Sequence, residues 1–408
     1  MIKDVCRVPR MKGLGAGPIG PYMDGYVQML AARGYTRGAI TQRLRGTCAL
    51  TLWMERRGKG IEALDEKLLK DFRRAHPSYI GLQAGPLSRD LLEYLREEKV
   101  IAAIPAEVPS STDLLIARFE KYLLEERGLQ PNTIRSIASK ARVFLDKTLG
   151  RRKSSVAQLQ PKDVLNFMVS YSKGRHPATA ARMASALRSF CRFLHEHGET
   201  KTNLVPAVPS VAHWQLSKLP KHLSVDQVDK LLKTCDRGTP IGKRDYAILL
   251  LISRLGLRVG EVVNLRLEDI DWEGGEIRVC GKSERQARLP LPEDVGKALV
   301  DYLLYGRMSH DSPFVFLRMT APYGGLRSPN AVCYVVGRAM KKANITGFLK
   351  GGHVLRHTLA KRMVEERFTL FEISEVLRHR NLRTTAIYAK VDTKTLHKLA
   401  QPWPGGAR

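Results

Sequence analysis

Apolar residues recur every three to four positions over long stretches of the chain, with polar residues between them. In two successive stretches they are Leu115, Phe119, Tyr122 and Leu123, and then Ile134, Ile137, Ala141 and Phe144. This spacing places each set on one face of a helix. A Pro-Asn pair at 131–132 marks the start of the second helix, and a third periodic stretch over 176–198 ends at Gly198, the expected C-cap. We therefore predict a helical bundle in this part of the chain.

The pattern changes after residue 220. Ser224 followed by Gln227 predicts a capping box at a helix start, and "YAILLLI" at 246–252 predicts a buried helix. Ile277 and Val279 alternate with polar positions, and a polar turn then leads to "ARLPL", which indicates a β-hairpin. Further helices are predicted at about 293–305, 329–343, 354–366 and 371–378. The predicted fold class is mainly α with a small antiparallel β-sheet.

Two proline-rich stretches, 102–111 and 202–220, interrupt the periodic segments. Proline lacks an amide donor and disfavours helix in the residue before it, so such stretches tend to separate domains. We expect three modules, at 1–105, 110–205 and 220–408, and 408 residues accord with two or three domains.

The first two modules resemble each other. Residues of the same type stand 94 or 95 positions apart, and the pairs are Gly34 and Gly128, Ile40 and Ile134, Leu64 and Leu159, and Phe72 and Phe167. A near-constant offset favours a duplicated helical module. The alternative is that any two amphipathic helices joined by a glycine turn look alike.

Charge adds a partner to this picture. The chain has 68 Lys and Arg against 40 Asp and Glu, a net charge of +28. Such a field attracts polyanions, and nucleic acid is the partner that it favours most.

The six cysteines form no CxxC pair, the N-terminus lacks the apolar core of a signal peptide, and no apolar run reaches the length of a membrane span. We expect a soluble cytoplasmic protein with no membrane partner.

The candidate chemistry is phosphodiester cleavage. The reaction needs a nucleophile, fixed positive charge on the phosphate oxygens and an acid for the leaving 5′ oxygen. Arginine suits the second task, lysine or histidine the third, and a tyrosine can form a phosphoester where cations stabilise its phenolate. The candidate residues are Arg258, Lys282, His353, Arg356, His379 and Tyr388.

In this order the six residues resemble the Arg, Lys, His-x-x-Arg, His and Tyr signature of the tyrosine recombinases, the phage integrase family. The segments "GLRVGEVVNLRLEDID", "HVLRHTLAKRMVE" and "TTAIYAK" carry the resemblance, which covers about 220–400. The module at 110–205 resembles the family's helical, SAM-like core-binding domain. The module at 1–105 lies outside the minimal family pattern.

The resemblance implies a site-specific recombinase or integrase that acts on double-stranded DNA recombination sites. Tyr388 would attack phosphorus and carry the strand as a 3′-phosphotyrosine, with His379 and the nearby cations holding the phosphate. The family needs no ATP, metal or other cofactor, and it acts as a homo-tetramer on two duplexes. The extra N-terminal module favours a mobile-element enzyme.

Two positions depart from the family pattern. Arg378 stands beside His379 where the family usually has a small residue, and Arg367 stands where a glycine is usual. These changes are expected to alter the local backbone geometry.

Other interpretations remain open at this stage. Taken singly, Arg258 reads as a capping arginine, Lys282 as a solvated turn residue and Tyr388 as a core tyrosine. His353 and His357 are spaced as in some zinc helices but lack the HExxH glutamate, and the glycines at 12–20 lack the lysine of a phosphate loop. Two alternative functions are a type IB topoisomerase-like nicking-closing enzyme and a DNA-binding accessory protein without catalysis.

Overall fold

The computed structural model describes residues 17–76, 84–103, 109–150, 155–212, 221–281, 286–347, 351–379 and 381–389. By the density of contacts, the chain forms two compact units. One combines Met1–Pro105 with Leu219–Arg408, and the other is Ala106–Lys218.

The N-terminal part of the first unit is a helical bundle. Its helices are α1 (Met23–Ala32), α2 (Arg37–Glu55), α3 (Glu66–Ala75) and α4 (Ala84–Glu97). The side chains of Thr36 and Asp65 cap α2 and α3 by accepting from backbone N–H groups of the first turn. The bundle has its own core, which includes Tyr26, Leu30 and Leu44.

The second unit is also a bundle with its own core. Its helices are α5 (Ser111–Glu125), α6 (Pro131–Thr148), α7 (Pro161–Ser172) and α8 (Pro177–Glu196). As predicted, α6 begins at Pro131, whose missing N–H costs nothing at a first helical position. Gly198 is the predicted C-cap, but the last helix ends at Glu196 with His197 as its C-cap, so Gly198, with φ +69°, lies one residue beyond the observed cap.

The two bundles share an order of elements, apart from a 3₁₀ turn at Gly20–Tyr22 before the first and one at Val205–Ala207 after the second. Each has two helices, a short 3₁₀ turn and two further helices. The 3₁₀ turns Ile61–Ala63 and Val156–Gln158 start 95 residues apart, as do α3 and α7, and α2 and α6 start 94 apart. The turn glycines Gly34 and Gly128 both have positive φ, +80° and +58°.

The C-terminal part of the first unit is mainly helical with a small sheet, as predicted. Its helices and strands are α9 (Val225–Lys233), α10 (Pro240–Leu255), α11 (Val259–Asn264), β1 (Ile270–Asp271), β2 (Glu276–Cys280), β3 (Gln286–Pro290), α12 (Glu293–Tyr305), α13 (Pro329–Lys342), α14 (His353–Glu365), α15 (Leu370–Val376) and α16 (Leu382–Ala389). The predicted capping box at Ser224 and Gln227 is present, and the side chains of α10 are largely buried.

The sheet is antiparallel with the order β1-β2-β3. Ile277 pairs with Leu289 across the predicted hairpin and with Ile270 of β1. Strand β1 has two residues, too few for an alternating pattern to predict it.

Near the C-terminal end, a small apolar cluster packs α14 against α15 and α16. Its buried members are Leu359, Ala360, Met363, Ile373, Leu377 and Tyr388. This cluster places the end of α15 and the start of α14 beside each other, where most of the candidate residues lie. Among the described helices, none is long and apolar enough to cross a membrane.

Candidate active site

Arg258 occupies the N-cap position of α11, immediately after the buried helix α10. Its backbone N–H donates to Glu261 Oε2 at 2.9 Å, and its guanidinium donates to Glu261 Oε1 at 2.6 Å. The other terminal nitrogen donates to the backbone carbonyl of Arg378 at 2.7 Å. The side chain of Arg258 is 32% exposed, so a ligand can still reach its guanidinium.

Arg356 lies on α14 and is only 4% exposed. Its two terminal nitrogens donate to the backbone carbonyls of Gly256 and Leu377. Each of these nitrogens carries a second N–H, which suits a phosphate oxygen. Gly256 ends α10 with φ +60°, and a Cβ there would lie 2.9 Å from Leu377 Cδ2, so this close approach requires glycine.

A buried carboxylate links the arginines. Glu261 is 5% exposed and accepts from Arg378 at 2.8 Å as well as from Arg258. Burial raises the pKa of Glu261, but attraction to Arg378 and Arg258 outweighs it, and the pKa is lowered overall. With Arg356, this network of described residues sets three guanidinium groups against one carboxylate, so the cluster is positive.

The two departures from the family pattern both fall at helix ends. Arg378 has φ +53° and Arg367 has φ +70°, the left-handed conformation that favours glycine. The backbone therefore keeps the conformation that a glycine would adopt, contrary to the expected change in local geometry. After Arg378 the N–H of His379 donates back to Ser374 at 2.9 Å, which holds His379 against the end of α15.

Residues of α16 orient the side chain of His379. Its Nδ1 lies 2.8 Å from Oγ1 of the buried Thr385, and its ring is nearly parallel to the ring of Tyr388, with centroids 6.4 Å apart. Burial and the cations Arg356 and Arg258 lower the pKa of His379 to about 4. Its imidazole is therefore neutral at pH 7 in the absence of a bound anion.

Tyr388 lies on α16 and is 2% exposed. Its hydroxyl is 2.6 Å from Nδ1 of His357 on α14. Burial raises the pKa of Tyr388 to about 12, against the opposing effect of Arg356. The nucleophile candidate is thus a protonated phenol held close to Arg356.

His353 is the first residue of α14, at the helix entrance that the sequence predicted. Burial, Arg356 and Arg258 lower its pKa. Its ring centroid is 6.4 Å from that of His357, and the described residues contain no group of three or more His, Cys, Asp or Glu that could hold a metal ion.

Lys282 lies between β2 and β3, outside the described residues. Its place on the hairpin turn and its role therefore stay predictions. The structure brings together the other five candidates, Arg258, His353, Arg356, His379 and Tyr388.

Four residues that shape this site were not among the predicted site residues, although His357 and Arg378 stood out in the sequence for other reasons. They are Glu261, His357, Arg378 and Thr385. Glu261 and Thr385 are each three residues from a candidate on the same helical face, and His357 is four residues from His353, so spacing gave a signal. Nothing local indicated that the long side chain of Arg378 folds back onto Glu261.

The cluster suits chemistry on an anion. Arg258 and Arg356 both act on the region around His379, and in this buried site their positive charge has a larger electrostatic effect than it would have in water. A bound phosphodiester would offset the cations that lower the pKa values of His353 and His379. The oxygen of the Tyr388 phenol is a candidate nucleophile beside Arg356.

Comparison with known proteins agrees with this chemistry. Residues 221–395 match the model of the phage integrase family, and residues 116–198 match the phage integrase N-terminal SAM-like domain. A putative integrase/recombinase, y4rA, of Sinorhizobium fredii is 38% identical over 395 residues, which cover 96% of each chain. Tyrosine recombinase XerC of Oceanobacillus iheyensis is 32% identical over 286 residues, 68% of this chain and 92% of the relative.

The fold also has solved counterparts. A lambda integrase tetramer bound to a Holliday junction superposes with a TM-score of 0.53 and 18% identity, over 74% of this chain and 85% of the integrase chain. At that identity the likeness concerns the fold.

Proposed function

Because the chain belongs to the phage integrase family and is a tyrosine site-specific recombinase, we propose that it cuts and rejoins double-stranded DNA through a covalent bond between Tyr388 and a 3′ phosphate. The proposed catalytic residues are Arg258, Lys282, His353, Arg356, His379 and Tyr388. The observation that carries the proposal is the position of the Tyr388 phenol beside the arginine cluster.

The proposed cleavage step is an exchange of one ester for another. Tyr388 Oη attacks phosphorus as the phenol passes its proton to a neutral imidazole of the site, for which His379 beside its ring is the candidate, and the bond from phosphorus to the 5′ oxygen breaks. Arg258 and Arg356 stabilise the charge that develops on the non-bridging oxygens. A 5′-hydroxyl from the partner duplex then reverses the step, which restores the phenol and rejoins the strand without an external energy source.

The pKa values of two histidines of the site are expected to rise when the phosphate binds. Burial has the largest effect in lowering the pKa values of His353 and His379, and the neighbouring guanidinium groups lower them further. The phosphate anion neutralises part of that positive charge, so each imidazole can bind or carry a proton more readily in the complex. Both can then donate hydrogen bonds to phosphate oxygens.

We propose that Lys282 protonates the leaving 5′ oxygen. Lys282→Ala is expected to slow cleavage of normal DNA by ~10² or more, the usual contribution of a general acid. A substrate with sulfur in place of the 5′ bridging oxygen should restore most of the rate, since a thiolate leaves without a proton. Single-turnover cleavage of both substrates makes the comparison, and an equal defect on both would show that Lys282 is not the acid.

Lys140 and Arg182 form a cationic pair on the second unit. Burial and the nearby Arg182 lower the pKa of Lys140, so two positive groups on α6 and α8 lie close enough to repel each other. A phosphate placed between them would relieve that repulsion. We propose that this unit binds the DNA backbone.

We also propose that four copies of the chain act on two duplexes, as in the lambda integrase tetramer on a Holliday junction.

Two assays separate this function from its alternatives. The protein, incubated with two plasmids that carry the DNA flanking its gene, should produce recombinants that depend on that sequence. Efficient relaxation of a supercoiled plasmid lacking the site would instead indicate a topoisomerase-like enzyme. The flanking DNA, once sequenced, should also carry the ends of a mobile element.

We further propose three modules, at 1–105, 110–205 and 220–408, with the first a duplicate of the second. The repeated order of helices and the offsets of 94 and 95 residues support it. The matched residues Ile40 and Ile134 are both buried, as are Phe72 and Phe167. The matched positions agree in spacing, burial and backbone conformation together, and this agreement favours a duplication over a chance resemblance.

We propose that the first module also binds DNA. Its sequence offers Arg33, Arg37, Arg43 and Arg45 as candidate contacts, and the structure limits which of them can reach phosphates. Arg43 is buried and paired with Asp90 at 3.3 Å, and Arg33 pairs with Glu93 at 3.1 Å. Arg43 is therefore held inside the module, and the partly exposed Arg33 faces two carboxylates, Glu93 and Glu97, so we propose neither as a phosphate contact. Arg37 and Arg45 are exposed on α2, and the proposed DNA contact rests on them.

Replacing Arg37 and Arg45 together by alanine is expected to shorten the DNA footprint and to lower the slope of log K against log salt by ~1.8, about 0.9 for each lost phosphate contact. Arg96→Ala is the matched control, because Arg96 is held by Glu66 at 2.8 Å and should leave the slope unchanged. An unchanged footprint and slope in the double variant would mean that the module does not bind DNA.

A further inference from the structure

His357 is the one histidine of the site that the proposed reaction leaves without a task. It lies on α14 one turn after His353, and its Nδ1 is 2.6 Å from the Tyr388 hydroxyl. The two ring centroids are 5.7 Å apart. The contact joins residues 31 positions apart, so it depends on the packing of α16 against α14 and not on local sequence.

The surroundings make this contact important for the phenol. Tyr388 is 2% exposed and packs against apolar side chains of α14 and α15. Among the described residues, His357 is the hydrogen-bond partner found for its hydroxyl. A buried hydroxyl without a partner is unfavourable, so the imidazole fixes where the phenol can sit.

Both partners of this hydrogen bond are uncharged in the free protein. Burial, followed by His353 and Arg356, lowers the pKa of His357 to about 4, and burial raises the pKa of Tyr388 to about 12. The imidazole is therefore neutral, and the phenol keeps its proton in this pair. With the phenol as donor to Nδ1, the oxygen lone pairs remain available toward Arg356, which attracts them.

We propose that His357 is a positioning residue for the nucleophile, which holds the Tyr388 oxygen beside Arg356 before DNA is bound. The proposal rests on the proposed role of Tyr388. Because the phenol enters the reaction already oriented, part of the ordering that attack on phosphorus requires is complete in the free protein. His357 does not remove the proton in this arrangement, since it is a far weaker base than the phenolate.

The first test observes the hydrogen bond without DNA. The full chain is labelled with 3-fluorotyrosine, and the fluorine resonance of Tyr388 is the one of 13 tyrosines that Tyr388→Phe removes. His357→Leu should shift this resonance. His357→Asn should restore it toward the native position, because the asparagine Oδ1 can accept at the place of Nδ1. The same resonance in all three proteins would overturn the proposal.

The second test measures the consequence for cleavage of a nicked substrate under single-turnover conditions. His357→Leu should slow covalent-complex formation by ~10-fold or more at unchanged DNA affinity, and His357→Asn should keep most of the rate. Thr358→Val, at the next position of α14, controls for disturbance of the helix. A faster His357→Leu would show that His357 restrains Tyr388, and equal losses in both variants would show that hydrogen bonding is not its role.

These readouts separate the two proposals. If Tyr388→Phe still forms a covalent complex, the assigned nucleophile is wrong, whatever the fluorine spectra show. If Tyr388→Phe is inactive and the His357 variants behave like the native chain in both tests, the positioning role alone fails. If His357→Leu has a lower melting temperature, comparison with His357→Asn, which keeps an acceptor at the same place, separates the loss of the hydrogen bond from the loss of stability.

Discussion

Tyr388→Phe is expected to bind target DNA with native affinity and to form no covalent complex. Phenylalanine keeps the ring that fills the apolar cluster of Leu359, Met363 and Ile373, and it removes only the attacking oxygen. The variant also leaves His357 Nδ1 without its phenol, which should cost about 1–3 kcal/mol of stability. Gel-shift titration measures binding, and denaturing electrophoresis with labelled DNA measures the complex.

Tyr302→Phe is the matched control for this prediction. Tyr302 is also a buried tyrosine of the same unit, and its hydroxyl accepts from the Leu317 N–H at 3.2 Å, away from the arginine cluster. It should lose comparable stability and keep cleavage. A covalent product from Tyr388→Phe would show that another residue attacks phosphorus.

Arg258→Ala is expected to slow cleavage by ~10²–10³, the usual cost of removing one preorganised donor to a developing oxyanion. The fold should survive, because Glu261 remains paired with Arg378 at 2.8 Å. DNA affinity should change little, since many other cations contribute to binding. Single-turnover cleavage at saturating protein separates the rate of the chemical step from affinity.

Arg266→Ala provides a close control. Like Arg258, Arg266 sits at the N-cap of a helical turn, and its N–H and guanidinium both donate to carboxylates within the following three residues. It lies outside the arginine cluster, so its loss should leave cleavage near the native rate. Equal defects in the two variants would mean that Arg258 acts on local folding and not on the phosphate.

The sequence could predict those parts of the site that depend on local chemistry. Helical periodicity located α14 and α15 to within one or two residues. The signature residues named five of the side chains that meet, two of which lie on α14. The hairpin followed from the alternation of Ile277 and Val279. In each case the information lies within a few neighbouring residues.

Other features depend on contacts between distant segments. His357 faces Tyr388 because α16 packs on α14, and no spacing within "HVLRH" contains that fact. Arg43 looks like a phosphate ligand in sequence, but Asp90, 47 residues later, holds it inside the bundle. Arg378 is visible as a departure, yet only the fold shows that its guanidinium reaches back to Glu261.

The measurement that tests the account most directly is the identity of the protein–DNA bond. The native protein is trapped on a nicked substrate that cannot be rejoined, digested with protease, and examined by mass spectrometry. If Tyr388 is the nucleophile, the product is a nucleotide joined through its 3′ phosphate to the peptide that contains Tyr388, with a free 5′-hydroxyl on the released strand. A 5′-linked nucleotide, or a bond to any other residue, would contradict it.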